Sequence, residues 1–387
     1  MNQLKPKIAA ELAEEAYFVQ DEFTIEAILA RPEFSQKVSD RQHLKAEVGS
    51  RLINTLDGFG ICAVGGKGYE NDLFLIFRGS TKANYFADWV NNCRVGVEYS
   101  STGLPVHLGF NHISTSMLPK IKEFINQHPK LTGTVHCIGH SLGGAVATLI
   151  ADWMSSNKPN AVKLYTFGAP RPGLWPFAKR FTNKVGARNI HRVFHATDPV
   201  PMIPIFPFLH APLPGMGHYV GANSTVVSFA AHDMGLYADS VKKLTWLELD
   251  RRIPSHNVEH AIEAWLKSSM AVSASTPRVW EWINSALIYV LKKIGVVTAT
   301  ILQGTFVGIV TLADKIAWVL CEGVNLAKDT GMWVFRLIRK IMQALGMAIV
   351  KTTAELTRVL LQRVLLQLIH RVNTEAQRAI RQITRRR

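Results

Sequence analysis

The residues Gly139-His140-Ser141-Leu142-Gly143 set one serine between two glycines, at the end of the short apolar run Val135–Ile138 and directly before the helix-forming run Leu142–Ser155. A serine on a tight turn between strand and helix has its hydroxyl pushed out at the top of a sheet, where a nucleophile for acyl transfer is needed. The two glycines carry no Cβ to collide with that crowded turn. With glycine at about 7% of residues, the five-residue pattern alone turns up by chance in roughly one chain in ten of this size. The flanking strand and helix signals are what single out Ser141.

A serine nucleophile requires a base, and the base requires an orienting acid. In sheets of this type the acid follows the nucleophile in chain order and the histidine comes last. The apolar run Ile190–His195 leads into Ala196-Thr197-Asp198-Pro199, which places Asp198 on a turn just past a strand end. The plain alternative is an Asp-Pro turn with no further role. For the base the candidates are His210, His218, His232, His256 and His260. His232 lies between an apolar run (Val226–Ala231) and the helical stretch that follows, the position wanted at the active edge of a sheet. His218, in a glycine-flanked loop, is the runner-up. Negative charge developing on the substrate oxygen requires donors set in advance. The N–H of Leu142 is one, and Ser80, in the turn after the apolar run Leu73–Phe77, offers an N–H and a hydroxyl as another.

These residues need a scaffold, and the chain supplies strand and helix in alternation. Leu4–Gln20 has the spacing of an amphipathic helix, with Ile8, Leu12, Ala16 and Val19 on one side. Ile61–Val64 and Leu73–Phe77 are strand-like, and Phe110–Gln127 is helical. Then come strand Val135–Ile138, helix Leu142–Ser155, strand Val162–Phe167, helix Trp175–Val185 and strand Ile190–His195. That order predicts an α/β fold: a mostly parallel sheet flanked by helices, with its site at the carboxyl ends of the strands.

The 387 residues are 48% hydrophobic and 19% charged, enough for one large domain and a smaller one, or for two of middling size. The net charge of +15 is uneven: from Arg278 onward there are 17 basic and 6 acidic residues, which leaves +4 for the first 277. Cys62, Cys93, Cys137 and Cys321 are scattered and match no metal spacing, so neither a disulfide framework nor a metal is expected. The proposed chemistry requires no cofactor. The N-terminus has no apolar core of a secretory leader. The expectation is a cytoplasmic or membrane-associated protein, or export by a leaderless route.

Taken together, these residues resemble the class 3 (fungal-type) lipase family of the α/β-hydrolase fold over roughly residues 10–245. The resemblance is carried by Phe77-Arg78-Gly79-Ser80, Asp88-Trp89, Val106-His107-Leu108-Gly109-Phe110, Gly139 to Ala145, Thr166 to Gly173 and Asp198-Pro199-Val200-Pro201. It implies Ser141 as nucleophile, Asp198 as acid and Ser80 as oxyanion donor. It also favours His232, five residues before Tyr237, as the base and makes His218 a bystander. A lid helix is implied near Ala83–Asn92. The leaderless chain with a hydrophobic extension also resembles bacterial lipase effectors.

The expected organisation is a hydrolase domain over 1–270, a linker over 271–277 and an all-α, basic module over 278–387. Ile294–Ala313 has 20 residues without a charge, long enough to span a bilayer and equally suited to a buried helix. Trp333–Val350 and the repeat Leu356, Leu360, Val364 and Leu368 place apolar and basic residues on opposite faces, as helices at anionic membrane surfaces do. A plain helical bundle has the same pattern. Despite Arg385-Arg386-Arg387, stacking aromatics and a readout fold are missing, so nucleic acid is not an expected partner. The expected partners are an acyl lipid substrate and a membrane surface met by residues 278–387; the sequence is silent on a chaperone or inhibitor protein. The reading is a serine ester hydrolase of lipase or phospholipase type held at a membrane. The alternative is a membrane-perturbing toxin whose C-terminal helices carry the activity.

Overall fold

The run Leu73–Phe77 forms strand β3, and all five of its residues are buried. An unbroken apolar run suits a strand covered on both faces. Leu73, Leu75 and Phe77 enter one apolar cluster, while Phe74 and Ile76 enter another on the opposite face. The same alternation recurs in β6 (Val135–His140), β7 (Val162–Phe167) and β8 (Ile190–His195). The structure is a computed structural model. It describes residues 2–19, 22–50, 53–80, 96–213, 215, 217–221, 229–251, 258–270, 272–273, 279–294 and 312–384.

Strands β1 (Arg41–Ser50) and β2 (Ile53–Val64) pair antiparallel with each other, and β2 pairs antiparallel with β3. From β3 onward the sheet is parallel, ending in β9 (His218–Val220), in the order β1-β2-β3-β6-β7-β8-β9. A separate hairpin pairs β4 (Val97–Tyr99) with β5 (Pro105–His107). This is the mostly parallel, helix-flanked α/β sheet expected from the alternation of strand and helix. β1 and most of β2 go beyond the strands expected from the sequence, although in β1 Leu44, Ala46 and Val48 alternate with Lys45, Glu47 and Gly49 at the strand period.

Helix α1 (Pro6–Glu15) covers one face and continues as a 3-10 turn, Ala16–Phe18, where a longer helix was expected. On the other face lie α3 (Leu108–Gln127) and α4 (Leu142–Asn157), with α5 (Trp175–Val185) beside them. Short α2 (Glu22–Leu29) follows α1 in the chain. Beyond β9 come α6 (Met234–Val241), α7 (Trp246–Asp250) and α8 (Val258–Lys267).

The C-terminal part is helical where described: α9 (Val279–Lys293), α10 (Leu312–Leu326), α11 (Lys328–Leu345) and α12 (Arg358–Thr384). These helices share their apolar cluster with α3, α4 and α5. Val334, Ile338 and Ile341 of α11, and Val364 and Leu368 of α12, are buried in it, as is Leu356 just before α12. The faces expected to meet a membrane are therefore packed against protein. Polar ties help to fix the union. Lys340 donates from Nζ to the Ser268 and Met270 carbonyls (2.9 Å each), just beyond the end of α8. The Asn284 Oδ1 accepts the Phe206 N–H at 2.6 Å. Among the described residues no helix is long and apolar enough to cross a membrane. The expected lid Ala83–Asn92, most of Ile294–Ala313, most of the linker, Cys93 and the final three arginines lie outside the described residues.

Candidate active site

β6 ends at His140, and Ser141 turns the chain into α4 with φ 55° and ψ −130°. A non-glycine residue with positive φ is strained, and such strain is characteristic of functional turns. The turn is tolerated because its neighbours are small. A Cβ at Gly143 would overlap the Phe77 and Arg78 carbonyl oxygens, and one at Gly139 would overlap the Gly143 carbonyl. β3, β6 and the start of α4 thus meet with nothing between them.

The Ser141 hydroxyl donates to Nε2 of His232 at 2.8 Å. Nδ1–H of the same ring donates to Asp198 Oδ2, also at 2.8 Å. All three side chains are buried, none above 2% exposed. Asp198 follows β8, and its Oδ1 accepts the Val200 N–H at 2.9 Å, which fixes the carboxylate on its turn. His232 closes a 3-10 turn, Phe229–His232, and Asp233 then caps α6 by accepting the Leu236 N–H at 3.2 Å. Of the residues proposed from sequence, Ser141, Asp198 and His232 are brought together.

Leu142 is the first helical residue of α4, where an N–H has no intrahelical partner and the helix dipole is positive. The end of β3 runs alongside, since a Cβ on Gly79 would touch that of Ser141. Next to it, the Ser80 Oγ is buried and has no hydrogen-bond partner among the described residues. A buried hydroxyl without a partner costs about 1–3 kcal/mol. An anionic oxygen placed to accept from it would offset that cost.

A second ring of contacts, not read from the sequence, holds the base. The Tyr17 hydroxyl donates to His140 Nδ1 at 2.5 Å, so Nε2–H of His140 donates to the carbonyl of His232 at 3.0 Å. On the other side, Nδ1–H of His195 donates to the Ala231 carbonyl at 2.6 Å. The His195 ring stacks on Tyr237 with centroids 3.9 Å apart. The Tyr237 hydroxyl accepts the His195 N–H (3.0 Å) and donates to Asp198 Oδ2 (2.7 Å). Burial, then the adjacent carboxylate, pushes the Tyr237 phenol well above its ordinary range, so it remains a donor. Burial lowers His195, keeping it neutral. A signal was available: strand period 2 puts His136, Ile138 and His140 on one face, and His191, Val193 and His195 likewise.

The other histidine candidates go elsewhere. His218 begins β9, with Nε2 3.2 Å from His191 Nδ1 and Nδ1 3.2 Å from Asp250, and it packs against Trp246. His210 reaches the Pro201 carbonyl at 2.7 Å. His260 lies in α8, and His256 is outside the described residues. Among the described residues no cluster of His, Cys, Asp or Glu could hold a metal ion.

Residues 74–208 match the sequence profile of the family Lipase (class 3). The chain is 32% identical over 169 residues to a secreted mono- and diacylglycerol lipase of Fusarium solani, covering 42% of this chain and 48% of that protein. It is 35% identical over 103 residues to toxin TseL of Vibrio cholerae, covering 26% of this chain and 15% of the toxin. The chain thus spans about half, or less, of the curated relatives it matches. Among solved structures, the Lip2 lipase of Yarrowia lipolytica aligns with 22% identity and a TM-score of 0.40, covering 57% of this chain and 78% of that one. Residues 74–208 are thus similar in sequence to the class 3 lipases.

Proposed function

We propose that the chain is a serine carboxylic-ester hydrolase acting on acyl lipids, with Ser141 as nucleophile, His232 as base and Asp198 as orienting acid. One observation carries the reading: the unbroken line of hydrogen bonds from Ser141 Oγ through the imidazole to Asp198 Oδ2, each 2.8 Å long. Ser141 Oγ attacks the ester carbonyl carbon as its proton passes to His232 Nε2, while Nδ1–H stays on Asp198. The carbonyl oxygen becomes an oxyanion, received by the Leu142 N–H and the unpartnered Ser80 hydroxyl. The intermediate collapses, and His232 gives its proton to the departing alkoxide. Water then attacks the acyl-enzyme with His232 again as base, releasing the fatty acid and restoring Ser141.

The substrate class is supported by the similarity to a Fusarium solani protein named for mono- and diacylglycerols. A phospholipid or lysophospholipid is the narrower reading, supported by the net charge of +15, which draws the protein to anionic bilayers. The kinship with a protein named as a toxin supports an effector role. A membrane-perturbing role for the C-terminal helices is less well supported, because their apolar faces are spent in the shared core. The test is a panel of short-chain nitrophenyl esters, triglyceride and defined phospholipids, run on wild type and Ser141→Ala side by side. Release of fatty acid by wild type alone supports the reading; equal release by both refutes it.

A further inference from the structure

Between Asp152 and Asp198, Lys and Arg occur eight times and Asp and Glu not once. The rest of the first 277 residues is therefore acidic on balance, and the positive charge of the hydrolase part is concentrated in one stretch. At its centre lies α5. Phe177, Ala178, Phe181 and Val185 face the core, which leaves Trp175, Lys179, Arg180 and Lys184 on the outer side. With Leu104 and Pro176 these line a groove of about 530 Å³ that has no acidic residue. Its second wall is the β4–β5 hairpin, stapled in place by two contacts. The Leu174 N–H donates to the Pro105 carbonyl (3.0 Å), and the Arg180 guanidinium donates to the Thr102 carbonyl (3.2 Å). Two large aromatic side chains project from this surface: Trp175, 42% exposed, and Tyr99 on the hairpin, 66% exposed.

The position matters as much as the charge. β7 ends at Phe167, whose carbonyl accepts the Ser141 N–H at 2.9 Å, and α5 starts from the same edge of the sheet. Trp175 thus stands on the edge at which Ser141 lies. Aromatic rings with a polar edge, beside lysine and arginine on long apolar stems, settle at the boundary between lipid headgroups and acyl chains. The apolar faces of α11 and α12, the other candidates for lipid contact, are buried.

We infer that the outer face of α5 and the adjoining hairpin form the surface by which this chain docks on an anionic phospholipid bilayer. Lys179, Arg180 and Lys184 meet the phosphates, and Trp175 enters the headgroup layer. The inference rests on the acyl-lipid reading for its purpose, but its test does not. Full-length Ser141→Ala, which leaves vesicles intact, is sedimented with vesicles of phosphatidylcholine alone and of phosphatidylcholine mixed with phosphatidylglycerol. Added Lys179→Glu, Arg180→Glu and Lys184→Glu are expected to lower affinity for the anionic vesicles about a hundredfold, at roughly fivefold per cation. Added Trp175→Ala is expected to lower it several-fold at all salt concentrations. In the chain with Ser141 intact, the same changes leave hydrolysis of a soluble short-chain ester within about twofold, which shows that the fold survives. Unchanged vesicle binding in the triple variant would mean that the face is merely a solvated one and would overturn the inference. So would equal or greater loss from Arg358→Glu, Arg363→Glu and Arg378→Glu on α12. A chain that binds vesicles through α5 yet cleaves no ester would refute the proposed function and leave the docking surface standing.

Discussion

At the carboxyl edge of the sheet, named polar contacts hold nearly every group in place: Ser141 to His232, His232 to Asp198, Asp198 to Tyr237, and His140 and His195 to the backbone around His232. In the C-terminal helices the burial is almost wholly apolar, with Leu361, Val364, Leu365 and Leu368 of α12 among the buried residues and few polar ties such as Lys340. The two regions touch, since α12 lies against the turn carrying His232 and against Val200–Met202, just past Asp198. The contrast separates two kinds of specification. Directional bonds fix atoms to fractions of an ångström, as acyl transfer demands. Apolar packing fixes which faces are buried, and here it backs the turn that carries His232 from outside.

If that division is right, edge variants change rate without changing stability, and helix variants do the reverse. The largest effect belongs to Ser141→Ala, with a loss on the order of a millionfold in kcat for ester hydrolysis and an unchanged melting temperature. Ser80→Ala is expected to lower kcat about a hundredfold with little change in KM, as removal of an oxyanion donor does. A loss confined to KM would assign Ser80 to ground-state binding instead. In the helices, Leu365→Ala is expected to cost about 2–5 kcal/mol in chemical denaturation. The transition should involve the whole shared core; an α/β part that melts unaltered would show the two regions to be independent.

Acid should act through the buried histidines. Burial holds His107 down at about 3 and His191 at about 2. In the unfolded chain both take up protons near 6.5, so unfolding draws protons and stability falls as pH drops below about 6.5. Each contributes a loss of about 2 kcal/mol by roughly pH 5, measured as the denaturation midpoint against pH. A stability flat from neutrality to that pH would contradict the burial described. The smallest effect is expected for Tyr237→Phe, about tenfold in kcat, since Asp198 keeps its bond to Val200.

The triad was legible because each member sits at a punctuated position: a Gly-x-Ser-x-Gly turn, an Asp-Pro turn after a strand, and a histidine at the mouth of a helix. The supporting ring was not. His140 and His195 act through backbone carbonyls and Tyr17 through the His140 ring; the strand period gives the face of the two histidines, but their partners lie far along the chain. For the C-terminal helices the periodicity of Val334, Ile338 and Ile341 marked the apolar face correctly, yet it could not say whether protein or lipid covers it. Hydrophobic burial is non-directional, and both coverings satisfy the same pattern. β1 carries a short alternation, Leu44, Ala46 and Val48 against Lys45, Glu47 and Gly49, but its pairing with β2 is a tertiary matter that propensity does not determine.

The most direct measurement is active-site labelling with a fluorophosphonate, read by intact mass and peptide mapping on wild type, Ser141→Ala and His232→Ala. Wild type should gain one adduct, on Ser141, and lose esterase activity in step; Ser141→Ala should gain none, and His232→Ala should label far more slowly. An adduct on any other residue that tracks the loss of activity, or full activity in a protein labelled at Ser141, would contradict the account.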